Sequence, residues 1–147
     1  MKFVTDCALD LTTKVKTVPT FGQKTITVMS IDDLVAQLSS VVKPAVGILY
    51  EGARSLQGDG GKQFGVSGEV VFSILMLAET SVISSRIETT NPAHDLLDSI
   101  RGSIHGTRSP TGHFWKWIME APATSKGSNQ VWIQRWSCPI QLAPTRQ

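Results

Sequence analysis

The sequence predicts an α+β fold, with helices packed on a mostly antiparallel sheet. Three observations lead there. Helical and strand-like periodicities follow one another in the order α-β-α-β-β-α-β-β. The later strands are long and separated by turn residues, as in hairpins. The chain has 147 residues, enough for one core and too few for a second. Residues 1–147 therefore read as a single domain, with residues 51–62 as a flexible loop and 143–147 as a C-terminal tail.

Residues 3–16 place Phe3, Cys7, Leu11 and Val15 four apart, the ladder of a helix with one buried stripe. Pro19 ends it. Residues 24–28 are β-branched and alternating, a short strand. Ser30 then caps a helix whose first turn holds Asp32 and Asp33, where the helix dipole favours negative charge. Ile31, Leu34, Val35 and Leu38 form its inner face, and it ends before Pro44. Residues 44–50 are apolar on both faces, which predicts a central strand covered on both sides.

Residues 51–62 contain Gly52, Gly58, Gly60 and Gly61, hence the loop. Residues 63–79 form a long strand, with Val70, Phe72, Ile74 and Met76 on one face and Val71, Leu75 and Leu77 on the other. Gly68 reads as a bulge. Such a strand reaches roughly 50 Å, long for this domain, so its early part is expected to project. After a polar connection at 80–90, Asn91 and Pro92 supply the N-cap and N1 of the clearest helix. Its stripe is Leu96, Leu97, Ile100 and Ile104; Arg101 and His105 lie near its negative end, and Gly106 is the expected C′ residue. Residues 113–120 and 130–142 read as strands, joined through 122–129 with a hairpin tip at 126–129.

Composition narrows the function. Only 18% of residues are charged, fewer than a free monomer usually shows to water, which points to surface hidden in an assembly. Residues 1–100 carry eight basic and eleven acidic side chains; residues 101–147 carry six basic ones and only Glu120. That polarity suits head-to-tail contacts between subunits, or a nucleic-acid surface. Cys7 and Cys138 are too few for a disulfide framework and read as reduced, partly buried thiols. Met1-Lys2-Phe3 runs into Thr5-Asp6 without an apolar region, so no signal peptide is expected. The longest apolar run, residues 70–78, is far short of the ~20 residues of a membrane helix. A soluble protein made in the cytoplasm, with no membrane partner, is the expectation.

No motif for catalysis stands out. His94, His105 and His113 are not at a zinc-ligand spacing to one another or to any thiol or carboxylate. No G-x-S-x-G elbow occurs, and Ser67-Gly68 lies inside a strand. Gly58-Asp59-Gly60-Gly61-Lys62 departs from a phosphate loop, since Gln63 follows Lys62 and no helix follows. The chain is therefore read as a non-enzyme without metal or cofactor, a small hydrolase being the enzyme alternative. All four tryptophans lie in the last third: Trp115 and Trp117 share a face of one strand, Trp132 and Trp136 a face of the next. They read as core, as a subunit interface, or as a base-stacking surface that Lys116 and Arg135 only thinly support.

Two segments carry a resemblance to a family. Ala93-His94-Asp95-Leu96-Leu97-Asp98-Ser99-Ile100-Arg101-Gly102-Ser103-Ile104-His105-Gly106 is similar to the helix "LL-x-x-(I/V)-R-x-x-(L/I)-x-G" of bacteriophage tail-terminator, or tail-completion, proteins of the Mu-like type. Lys43-Pro44-Ala45-Val46-Gly47-Ile48-Leu49-Tyr50-Glu51-Gly52-Ala53 is similar to their strand "(R/K/F)-P-A-V-x-V-x-(Y/F)-x-G-A". The element order resembles the family's over about residues 1–142; the tryptophan-rich hairpin matches no family motif.

The resemblance implies a ring-forming subunit, a homohexamer, that caps the tail-tube protein, ends tail polymerisation and meets the head-to-tail connector protein. In a contractile tail it also meets the sheath protein. It implies a virion protein of the tail or neck, assembled in the host bacterial cytoplasm, without catalytic residues, cofactor or specific nucleic acid. Another phage neck or connector ring protein, or a nucleic-acid-binding module using residues 101–147, are the alternative readings. Candidate interface residues are Arg54, Lys62, Trp115, Trp117, Trp132, Arg135 and Trp136, with Arg54 and Lys62 of the 51–62 loop meeting acidic partners as the loop orders on a neighbour.

Overall fold

Apolar spacing puts two helices on one face of a five-stranded sheet and one short helix on the other. The computed structural model describes residues 2–38, 44–55, 66–79, 92–126 and 129–142. Its elements are α1 (Phe3–Lys16), a single 3-10 turn (Pro19–Phe21), β1 (Thr25–Val28), α2 (Ile31–Leu38), β2 (Ala45–Ser55), β3 (Val66–Glu79), α3 (Pro92–Ile104), β4 (Lys116–Lys126) and β5 (Asn129–Leu142). The fold is α+β. The sheet runs β1-β2-β3-β5-β4; β1 pairs with β2 in parallel and every other pair is antiparallel.

The larger core lies under α1 and α3. Cys7, Leu11 and Val15 of α1 and Ala93, Leu97, Ile100 and Ile104 of α3 pack on Val46, Ile48, Phe72, Ile74, Met76 and Trp136. The smaller core, on the opposite face, joins Leu34 of α2 to Val28, Ala45, Leu75, Leu77 and Val131. This explains why β2 and β3 are apolar on both faces. Gly47 lets α2 approach closely: a Cβ there would lie 2.7 Å from Leu34 Cδ1. The first turn of α2 is closed as its sequence predicts, with Asp33 N–H donating to Ser30 Oγ at 3.0 Å.

Several expectations need correction. β2 is interior, second in the sheet and covered on both faces as its apolar run predicts, while β3 takes the middle position. Residues 51–55 belong to β2 rather than to a loop, while 56–62, including Lys62, and the 143–147 tail lie outside the described residues. Of the long strand 63–79, residues 63–65 also lie outside them, and β3 pairs with β5 along all of Val66–Glu79, so it does not project. Gly68 is in regular register on both sides. Its lack of a side chain instead admits the β2 backbone, because a Cβ would lie 2.7 Å from the Arg54 carbonyl oxygen. The register shift falls between Tyr50 and Gly52, and Gly52 takes φ 124° there.

β4 starts later and runs further than the sequence predicts. His113 lies before it, and residues 122–126, read as part of the connector, belong to β4, which pairs until Lys126 meets Asn129. Proline is tolerated because β4 is an edge strand, with a register shift between Pro122 and Thr124. Pro139 of β5 lies beyond Ser137, the last β5 residue that pairs with β4, so its missing N–H costs no ladder bond on that side.

Candidate docking surfaces at the two sheet edges

Gly106, at φ 78°, ends α3 and turns the chain back toward the sheet. The return is a tight hairpin. Ser109 N–H donates to His113 O at 2.8 Å, Trp115 N–H to Thr107 O at 3.0 Å, and Gly112 takes φ 89° at its tip. The hairpin is tied to α1 by Trp115 Nε1, which donates to Asp10 Oδ2 at 2.8 Å, and by Lys14 Nζ, which donates to Asp10 Oδ2 at 2.6 Å and Arg108 O at 2.7 Å. Trp115 is thereby buried, while its neighbour Phe114 is 51% exposed under the Arg108 guanidinium, 4.3 Å from the ring centroid.

Between this hairpin, α3 and the start of β4 lies a groove of about 840 Å³. Phe114, Trp117 and Pro139 give it an apolar wall; Asp98, Arg101, His105, His113 and Lys116 give it polar edges. Trp117 is 45% exposed, with the Arg101 guanidinium 5.8 Å from its ring centroid. Arg101 is largely spent internally. Its Nη2 donates to Glu120 at 2.8 and 2.9 Å and its Nη1 to Asp98 at 2.6 Å, and both carboxylates, Glu120 foremost, push its pKa up. Glu120 in turn accepts from Gln134 Nε2 at 2.8 Å. That same nitrogen donates to Leu97 O at 2.8 Å, and Gln134 Oε1 accepts from Trp136 Nε1 at 3.1 Å. A polar chain thus runs from buried Gln134 to half-buried Glu120 and Arg101 at the groove and fixes α3 on β4 and β5. Lys116 makes no ion pair among the described residues.

At the opposite edge, Met29 follows β1 and is 86% exposed. Its N–H donates to Asp33 Oδ2 at 2.8 Å, and the neighbouring Asp32 is exposed without an ion pair among the described residues. Asp33 is held below the usual carboxylate range, first by the hydrogen bond from Gln37 and then by that from Met29 N–H.

No protein-family model and no curated protein matches the chain.

Among the described residues, the candidate interface residues of the sequence do not share one surface. Trp115 and Trp136 are buried in this chain's own core, Trp132 is partly buried with His94 edge-on to its ring, and Trp117 is the most open of the four. Trp117 and Trp136 stand in register on the helix-bearing face that carries α1 and α3. Arg54 and Arg135 lie on the other face. Arg54 is exposed and pairs with Glu69 of its own chain at 2.6 Å. Arg135 reaches Glu51 and Ser73, each at 3.4 Å, and Ser73 Oγ donates to Glu51 at 2.5 Å; the irregularity at residue 51 aims Glu51 into this group. Phe114 and Met29 had no signal as site residues in the sequence. Their exposure depends on a hairpin and a strand end that only tertiary structure defines.

Cys7 and Cys138 are wholly buried rather than partly so, with their sulfurs 3.8 Å apart and both thiols free. The Cys138 contact and burial push the Cys7 thiol up. Among the described residues, no group of three His, Cys, Asp or Glu side chains could hold a metal ion.

Proposed function

We propose that this chain is a structural ring subunit that caps a phage tail tube, ends its polymerisation and offers its outer surface to the head-to-tail connector. The observation that carries the reading is an open sheet with chemically different edges. Among the described residues, the β4 edge exposes Phe114, Trp117 and Ile118 beside Lys116, and the β1 edge exposes Met29 beside Asp32. Apolar side chains grouped in this way are the mark of a surface that another protein covers. Two unlike edges on one subunit favour head-to-tail association, which closes into a ring when the rotation allows. The resemblance of β2 and α3 to the tail-terminator segments supports the same reading, and both segments contribute to one core.

The test is tube growth. Tail-tube subunits of the same phage are polymerised with and without the protein, and lengths are measured by electron microscopy. Capped tubes should stop growing and carry an extra ring at one end. Tubes of unchanged length with bare ends would refute the reading.

A further inference from the structure

We infer that the α3–β4 groove is filled by Met29 and the acidic start of α2 from a second copy of this chain. The inference rests on the ring reading above and specifies its seam. Strand register supplies the geometry. Trp117 is opposite Trp136, Trp136 opposite Phe72, and Phe72 opposite Tyr50, so one row crosses the sheet from β4 to β2. Val28 of β1 is opposite Leu49, which places Met29, the next residue, at the level of Tyr50. Groove and knob therefore stand at the same height of the sheet, at opposite edges, separated by four strand spacings or about 19 Å. Copies set side by side, edge to edge, bring one to the other with no shift along the strands.

The chemistry is complementary. The groove wall is aromatic, with Phe114 and Trp117 open to it, and a methionine thioether packs favourably against aromatic rings. Met29 is the most exposed large apolar residue of the described chain. Arg101 is paired with Asp98 and Glu120, whereas Lys116 on the groove and Asp32 beside the knob carry opposite charges and make no ion pair among the described residues. Docking also covers the two sheet edges, which otherwise present unpaired backbone groups to any passing strand.

Covalent trapping tests the seam. Met29→Cys and Phe114→Cys are made separately and together; native Cys7 and Cys138 are buried and stay out of the reaction. Under mild oxidation the double variant should give a ladder of covalent oligomers. A mixture of the two single variants should stop at dimers, and each single variant alone should stay uncrosslinked. Independently, Lys116→Glu or Asp32→Lys should weaken association by about tenfold, and the double reversal should restore it. Far-UV circular dichroism checks that each variant is folded. Self-crosslinking of Met29→Cys alone would overturn the seam in favour of a two-fold contact. Oligomers that form without these crosslinks and ignore both reversals overturn the seam and leave the ring intact. A protein that stays monomeric under every condition removes the ring as well. A monomer that binds single-stranded DNA, and loses it on Lys116→Glu, gives the groove to nucleic acid and overturns the proposal.

Discussion

Trp117 and Trp136 stand directly opposite each other across β4 and β5, one 45% exposed and the other fully buried. The pair marks where core becomes surface. Trp136 is held by its indole N–H on Gln134, and Trp117 by the Arg101 guanidinium above it. Because Gln134, Glu120 and Arg101 form one chain of hydrogen bonds, the groove is rigidly tied to the core.

Gln134→Leu should expose that dependence. The substitution strands the Trp136 N–H in a buried site and removes the Gln134 donor that ties the Leu97 carbonyl of α3 to Glu120 of β4. Urea unfolding should show a loss of about 1–3 kcal/mol. A loss of a few tenths or less would mean that the network does not hold α3.

Two glycines should respond in opposite directions. At Gly68 a Cβ meets the Arg54 carbonyl oxygen at 2.7 Å, whereas at Gly102, inside α3, nothing lies within 4 Å. Gly68→Ala should destabilise the fold by about 1–3 kcal/mol. Gly102→Ala should stabilise it by up to about 1 kcal/mol through helix propensity. Equal midpoints for the two variants would contradict the β2–β3 packing.

Much of this architecture is legible in the residues alone. The Cys7, Leu11, Val15 ladder and the Leu97, Ile100, Ile104 stripe each name a buried helix face, and Gly106 marks the end of α3. β3 is two-faced in the sequence and two-faced in the structure. Residues 122–126 are hidden because Pro and polar residues resemble a connector, yet an edge strand needs neither a full set of N–H donors nor a buried face. Gly68 looked like a bulge because sequence cannot tell an irregular backbone from one that another strand touches closely. The tryptophans could be paired by face but not sorted into buried and exposed, since that depends on Asp10 reaching Trp115 from α1, across 105 residues of sequence. The groove was invisible for the same reason: α3 and the 107–115 hairpin meet only after folding.

The thiols should be silent in the native state. Cys7 and Cys138 are wholly buried and free, so an aromatic disulfide reagent should label neither until denaturant is added, when both react. Rapid labelling of native protein would show that α1 does not seal this part of the core.

The α2 cap should titrate low. Asp33 has a folded pKa below 3.8, so its contribution is present above that value and is lost as pH falls through the lower folded value. Gln37 is the larger cause, and Gln37→Ala should raise the Asp33 titration toward 3.8 in carboxyl NMR. An unchanged titration would assign the shift to Met29 N–H alone and contradict this cause.

The central claim is that unlike edges of one subunit meet in a closed ring. Native mass spectrometry of the purified protein, alone and with the tail-tube subunits proposed as its partners, tests it most directly. The account predicts one discrete hexameric species, present alone or appearing with the tube subunits, with no open series of larger masses. A strict monomer in both samples at high concentration, or a two-fold dimer that grows no further, would contradict it.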